Sequence, residues 1–408
     1  MSKVMKKAYG EPMKQEFDLR SASQEAARCL LCYEAPCSES CPVGTDPAKF
    51  IRSLRFRNVK GAAETVRENN PLAGCCAEVC PYGQLCEEGC SRSGIDRPIE
   101  IGKIQRFLVR QEREQKMVFL HAAERKEERI ACLGAGPASL ACARELALRG
   151  YPVTVYEAQE KAGGMLACEI IPSRLPREVV DFDIQTIEDL GVEFRFGEKI
   201  DAAGLEKLRE EYDAVFVGTG LCKPKMPDLP GIGLAGVENA LDFLRKIVES
   251  GGKQSLKGPV IVIGGGDVAM DCATAAKQLG AATKIVYRRT VEEAPADIDE
   301  VAAVQGMGIP IIQEFAPAEI LGKDGRVSAM RFRGRDDESE LVLKAGQVVF
   351  AVGQAEDEST KGITAGGNVF TGGDRTNGGK TVVQAVADGK ESAEQIAAYL
   401  AGRQKGGE

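Results

Sequence analysis

The sequence has no excess of positive charge: 53 Lys and Arg stand against 61 Asp and Glu, a net charge of −8 over 408 residues. A nucleic acid would need a basic face, so no nucleic-acid partner is expected. Long apolar runs are missing as well. None approaches the roughly 18 residues that a membrane span requires, so no membrane partner is expected either. The opening stretch MSKVMKKAYGEPMKQEF has lysines but no apolar segment behind them, so it is not expected to act as a secretory signal, and a cytoplasmic location follows. Histidine is reduced to one residue, His121, in a polar linker; it is expected to be solvated, and no catalytic side chain is assigned. No short-period repeat or extended low-complexity segment occurs. Cysteine is sparse over three quarters of the chain, where only Cys132, Cys142, Cys168, Cys222 and Cys272 occur. They include no closely spaced pair of the disulfide-reductase kind and are expected to pack as small hydrophobes.

Glycine, by contrast, fills 46 positions in a chain that is 43% apolar and 28% charged, a composition that suits an α/β protein with many tight turns. The length points to two or three domains. Residues 1–125 carry helix-like stretches such as PAKFIRSLRFRNVKGAAETVREN together with the other nine cysteines, which predicts a small helical module. From Arg129, RIACLGAGPASLACARELALRGYPVTVYE reads as strand, glycine turn, helix and strand. The same order returns in PVIVIGGGDVAMDCATAAKQLGAATKIVYRR after the polar linker SGGKQSLKG. Two Rossmann-like α/β nucleotide-binding units are therefore expected, with boundaries at 126–255 and 256–350. The remainder, 351–408, reads as strand, glycine-rich loop and final helix.

In GAGPAS, Gly134 and Gly136 follow an apolar strand and open a helix, so backbone N–H groups and the positive helix end can meet a pyrophosphate. Glu157 ends the next strand, where an acid accepts hydrogen bonds from an adenosine ribose. Ser139 takes the third glycine position of the motif, which leaves a plain strand-to-helix turn open as an alternative. Gly264, Gly266 and Ala269 repeat the pattern as GxGxxA. Two such loops suggest a flavin dinucleotide and a nicotinamide dinucleotide exchanging a hydride. Arg288 and Arg289 stand where a 2′-phosphate would be read, with Glu292 and Glu293 close behind; the balance favours NADPH marginally over NADH, and a solvated arginine pair is the alternative.

The nine N-terminal cysteines fall into two groups. RCLLCYEAPCSESCP gives C-x2-C-x4-C-x3-C-P, and CCAEVCPYGQLCEEGC follows at 75–90. Both contain a Cys-Pro step, and in two-cluster ferredoxins the cysteine before proline can ligate the other cluster, so crossed ligation is admissible. Two four-cysteine zinc sites are the alternative, although zinc ribbons favour paired C-x2-C units and the second group has none.

RCLLCYEAPCSESCP, NPLAGCCAEVCPYGQLCEEGC, PIEIGKIQRF, GAGPAS, GGMLACEIIPSRLP, GGGDVAMDCAT and TGGD resemble, in order and spacing, the N-terminal half of the dihydropyrimidine dehydrogenase family. In bacteria that half is a separate subunit, and the small subunit of glutamate synthase is a close relative. The resemblance implies a helical double [4Fe-4S] domain followed by a discontinuous FAD domain with the NAD(P) domain inserted into it. It implies one cluster on Cys29, Cys32, Cys37 and Cys90, and another on Cys41, Cys80, Cys86 and the amide oxygen of Gln105, with Cys75 and Cys76 spare. It places FAD along Gly134, Ala135, Gly136, Pro137, Ala138 and Ser139, with Glu157, Gly164, Met165, Leu166, Arg174, Gly373, Asp374 and Thr381. The nicotinamide cofactor falls to Gly264, Gly265, Gly266, Asp267, Val268, Ala269, Arg288 and Arg289.

The function so implied is an electron-input subunit. NAD(P)H reduces FAD, and two [4Fe-4S] clusters carry electrons to an FMN-containing barrel subunit that reduces uracil or thymine. Delivery to a glutamate synthase large subunit is the alternative acceptor, and a zinc-stabilised nucleotide sensor without redox turnover is an alternative of another class.

Overall fold

The computed structural model describes residues 8–256 and 258–405; the lysines at positions 3, 6 and 7 and Lys257 of the polar linker lie outside them. The chain divides into two compact units. One comprises Lys14–Ala167, Arg177–Leu221 and Glu356–Glu408, and the other Met1–Met13, Cys168–Pro176 and Cys222–Ala355.

The first unit begins with helices Leu19–Ala27, Pro47–Arg55, Val59–Asn69, Ala73–Val79 and Ile101–Glu114. Local chemistry fixes where several of them start. The Asp18 and Ser21 side chains form a reciprocal capping box, Asp46 accepts from Lys49 N–H ahead of Pro47, and Asn58 accepts from Gly61 N–H. Apolar residues at helical spacing, Phe50, Ile51 and Leu54 on one helix and Ile104, Phe107 and Leu108 on another, bury into one core that also takes in Cys86 and Cys90.

The same unit holds a five-stranded sheet ordered Val369–Thr371, Ala214–Val217, Ile130–Leu133, Val153–Glu157, Glu193–Phe196, with every neighbouring pair parallel. The central strands are buried throughout, as parallel strands covered on both faces must be. Val369 pairs in register with Val215 across the intervening excursion of the chain, so this nucleotide-binding fold is discontinuous.

The helical module and the sheet domain are packed as one unit by buried ions. Arg67, fully buried, donates to Glu112 at 2.8 and 3.0 Å and is 2.9 Å from Asp183, which also accepts from Gly74 N–H at 3.2 Å and Cys75 N–H at 2.8 Å. Arg144 adds donations to the Arg67 and Glu68 carbonyls at 2.7 and 3.0 Å. The sequence expectation of a module ending at 125 marks a real change of architecture, but these contacts merge the two sides of it.

The second unit contains a parallel sheet ordered Val237–Asn239, Gln347–Phe350, Val260–Ile263, Thr283–Val286, Ile311–Ile312. It also contains an antiparallel sheet of Phe315–Lys323, Arg326–Gly334 and Glu340–Lys344, which the sequence reading did not foresee. The expected boundary at 255/256 needs correction. Val237 pairs with Val348, and Phe243, Leu244 and Ile247 of the helix Ala240–Glu249 share a core with Val260 and Val262. The longest stretch of the unit runs from Cys222 to Ala355, and within it Lys223–Pro224 pairs antiparallel with Gln354–Ala355.

Candidate redox and dinucleotide sites

Cys29, Cys32, Cys37 and Cys90 line one small cavity that opens to solvent, walled by apolar groups including Pro36, Ile51, Ile99 and Ile101. Several local features aim these thiols. The loop between Cys29 and Cys32 turns at Leu31, held at φ +56°, and Arg55 donates to the Cys29 carbonyl at 2.8 Å. Ile99 N–H donates to Cys90 Sγ at 3.5 Å, the kind of contact that tunes an iron–sulfur cluster. Burial pushes the Cys37 thiol up to about 11 and raises Cys29, each reinforced by the neighbouring thiols. Iron binding would therefore have to displace protons. Among the described residues no three His, Cys, Asp or Glu side chains are gathered tightly enough to grip a single metal ion. Four thiols spread around a cavity suit a multi-atom cluster, so the donor set fits the first [4Fe-4S] group.

A second group forms around Cys80. Hydrogen bonding to Cys76, then burial, then the Cys86 and Cys41 thiols hold Cys80 well above its ordinary value. The Cys41 and Cys86 thiols thus stand near enough to Cys80 to raise it. Cys76, expected to be spare, joins them, whereas Cys75 is buried and bonded through its N–H to Asp183. Gln105 is buried on the helix packed against Ala73–Val79, and its amide nitrogen donates to Ala73 O at 2.9 Å. That bond engages the amide nitrogen and not the amide oxygen.

Apart from Arg174, the residues expected at FAD all belong to the first unit. Gly136 caps the helix Pro137–Leu148 with no side-chain hydrogen bond, so the first-turn N–H groups are open to an anion. Gly164 sits at φ +54°, and a Cβ there would lie 3.0 Å from the Gly136 Cα, so the second glycine turn abuts the first. The Glu157 carboxylate is oriented by Ala135 N–H at 2.7 Å and Gln159 N–H at 2.8 Å. Ser139 explains the departure from the third glycine: fully buried, its hydroxyl donates to the Leu133 carbonyl at 3.2 Å. Gly373 packs against Ala138, Asp374 accepts from Lys380 N–H at 3.3 Å, and the Thr381 hydroxyl is bonded to Gln384 at 2.8 Å. Met165 and Leu166 begin a short helix directly after the second glycine turn. This cradle fits a dinucleotide.

Arg174 departs from expectation. It belongs to the second unit, where its guanidinium lies 3.0 Å from Asp271, 3.0 Å from Glu300 and 3.7 Å from Asp267. A buried guanidinium needs anionic partners, and these carboxylates supply them. The nest was not legible because its members lie about a hundred residues apart. Cys132 and Cys142, expected to pack as small hydrophobes, are both fully buried, and strand and helix bring them within hydrogen-bond reach of each other.

In the second unit, Gly264 is at φ +147° and a Cβ there would collide with the Ala351 carbonyl, which explains why that position is glycine. Gly265 lies under the Tyr287 ring, and Gly266 caps the helix Asp267–Gln278 without a side-chain bond, as in the first loop. Asp267 Oδ1 accepts from Asp297 N–H at 2.9 Å, Ala269 is buried and Val268 half-buried. Arg288 and Arg289 are exposed just past the strand Thr283–Val286. Glu293 is already engaged: it accepts from Thr290 N–H at 3.1 Å and pairs with Arg335 at 3.1 Å.

A family model described as dihydropyrimidine dehydrogenase domain II, 4Fe-4S cluster, matches residues 6–117, and one described as pyridine nucleotide-disulphide oxidoreductase matches 128–374. Fold and matches together define the class: a pyridine-nucleotide-dependent oxidoreductase with an N-terminal 4Fe-4S domain. Over 397 residues, 93% of this chain and 95% of the other, the chain is 41% identical to the NAD-dependent dihydropyrimidine dehydrogenase subunit PreT of Escherichia coli K12. The PreT homolog of Salmonella typhi is 41% identical over 93% of this chain and 94% of its own. The chain belongs to this family of dihydropyrimidine dehydrogenase subunits. Among solved structures, Mycobacterium tuberculosis FprA in complex with NADPH shares the fold, with a TM-score of 0.59 at 18% identity over 69% of this chain and 86% of that one. Among the described residues no helix is long and apolar enough to cross a membrane.

Proposed function

We propose that the chain takes a hydride from a reduced nicotinamide dinucleotide and passes electrons to an FMN-containing barrel subunit that reduces uracil or thymine to the dihydropyrimidine, in the cytoplasm. The observation that carries this is the four-thiol cavity of Cys29, Cys32, Cys37 and Cys90, set in the same compact unit as the Gly134–Ser139 loop and Glu157. The relatives' names, which make them subunits of a dihydropyrimidine dehydrogenase, favour this acceptor over a glutamate synthase large subunit. Bound FAD would supply the exchange between a two-electron hydride and single electrons, and two [4Fe-4S] clusters would supply single-electron carriage.

This chain's own residues bind and orient. The uncapped N–H groups behind Gly136 would hold a pyrophosphate, and the Glu157 carboxylate would take a ribose hydroxyl. The thiols of Cys29, Cys32, Cys37 and Cys90 hold one cluster. Cys41, Cys80 and Cys86 hold the other, with Gln105 as fourth ligand. The uncapped helix behind Gly266 takes the second pyrophosphate.

For the nicotinamide cofactor we propose NADH. The E. coli and Salmonella relatives are named as NAD-dependent; Arg288 and Arg289, exposed and placed for a 2′-phosphate, are the observation favouring NADPH. Anaerobic purification, metal and flavin analysis, and stopped-flow flavin reduction by each dinucleotide test the proposal. Uracil-dependent NADH oxidation should appear only when the FMN subunit is added. Zinc in place of iron, with no flavin reduction, would overturn it.

A further inference from the structure

Four exposed large apolar side chains lie on or next to residues tied to the first thiol cavity. Tyr33 is 99% exposed, Phe56 72%, Ile95 64% and Leu30 44%. Each is tied to the cavity through a neighbour. Leu30 lines it, Tyr33 follows Cys32, Phe56 follows the Arg55 that donates to the Cys29 carbonyl, and Ile95 precedes the Asp96 that holds the cavity-lining Arg92 at 2.8 Å. An aromatic ring fully in water gains nothing for folding, and clustered exposed apolar groups mark interaction surfaces. Tyr and Phe with arginine nearby are also what protein interfaces favour at their centres.

Resting on the function proposed above, we infer that this face is the docking surface for the electron-accepting subunit, and that the occupant presents an acidic rim. The charge on the page decides the occupant. The segment Phe50–Lys60 carries Arg52, Arg55, Arg57 and Lys60 with no acid, in a chain whose net charge is −8. An acidic partner would neutralise these charges, whereas a second copy of this chain would bring the same basic segment to both sides of the interface. Docking there also seals the mouth of the thiol cavity from water.

The test compares wild type with Tyr33→Ser/Phe56→Ser and, separately, Arg57→Glu. The holoprotein is titrated with the FMN-containing pyrimidine-reducing subunit co-expressed with it. Loss of two anchors should weaken the complex by about thirtyfold or more, and the charge reversal should weaken it in a salt-dependent way. NADH-driven ferricyanide reduction and the iron–sulfur EPR signals should not change, since none of Tyr33, Phe56 and Arg57 lines the thiol cavity. Undiminished affinity in both variants overturns the surface. A self-dimer that these substitutions dissolve overturns the acidic partner in favour of a second copy. If wild type itself neither binds nor supports uracil reduction, while still reducing ferricyanide, the proposed acceptor fails along with its docking face.

Discussion

Asp183→Ala tests whether the iron–sulfur module and the flavin fold are held together by buried charge. Asp183 is fully buried, its Oδ1 accepts from Arg67 and from Gly74 N–H, and its Oδ2 accepts from Cys75 N–H. Alanine leaves Arg67 with only Glu112 as a carboxylate partner and strands two main-chain donors at the start of the helix that carries Cys75 and Cys76. Breaking a buried pair costs about 3–5 kcal/mol, and an orphaned buried N–H about 1–3 kcal/mol. These effects overlap, so a loss of about 4–6 kcal/mol is expected. In urea denaturation of the holoprotein the midpoint should fall by about 1 M or more, with iron–sulfur absorbance lost along with far-UV ellipticity. Asp183→Asn, which keeps an acceptor but no charge, should fall between the two. A loss below about 1 kcal/mol for the alanine variant would refute a structural role for the ion cluster.

The remaining predictions concern the sites themselves. Protein purified without oxygen should hold about eight irons and one FAD per chain if both thiol groups carry [4Fe-4S] clusters. Gln105→Leu should damage only the cluster on Cys41, Cys80 and Cys86 while Cys76→Ser leaves it intact; the opposite result would make Cys76 the fourth ligand. Replacing Arg288 and Arg289 together should leave kcat/KM for NADH nearly unchanged and reduce the residual use of NADPH, and a wild type that prefers NADPH would refute the choice of NADH. Burial pushes Asp271 up to about 7, only partly opposed by Arg174. Its folded-state value therefore lies above the ordinary 3.8, and its contribution to stability is full below about pH 4 and lost as pH rises to about 7. Asp271→Asn cannot titrate, so unfolding midpoints of the variant should gain on wild type across that window, and a constant difference would show that Asp271 does not titrate there.

The sequence was most informative where chemistry dictates local spacing. The glycine loops at 134–139 and 264–269 open helices just after buried strands, the strand–turn–helix order read from the sequence. The first four-thiol group was nominated by family motif, and three of its members lie within nine residues, so only Cys90 had to be brought in by tertiary packing. Long-range polar partners were invisible. Nothing local to Arg174 signals Asp271 and Glu300, and nothing around Arg67 signals Asp183, 116 positions on. The misplaced boundary at 255 had a similar cause: Val237–Asn239 is only three residues long, too short to show a strand pattern, and its role is fixed by pairing with Gln347–Phe350.

The distribution of contacts also bears on how the two kinds of electron transfer are managed. Single-electron steps between a flavin and clusters need a fixed separation, and the residues proposed to hold those groups share one compact unit, crossed by the Arg67–Glu112–Asp183 ions and the Arg144 bonds. Hydride transfer needs something else, because a bulky dinucleotide must enter, meet the flavin ring and leave each cycle. The residues proposed to hold it fold in a separate unit, joined through the polypeptide where Lys223–Pro224 pairs with Gln354–Ala355. The buried ions thus lie within the unit proposed to hold flavin and clusters, and the loop proposed for the exchangeable dinucleotide folds in the other, so the two demands fall on separately folded parts of the chain.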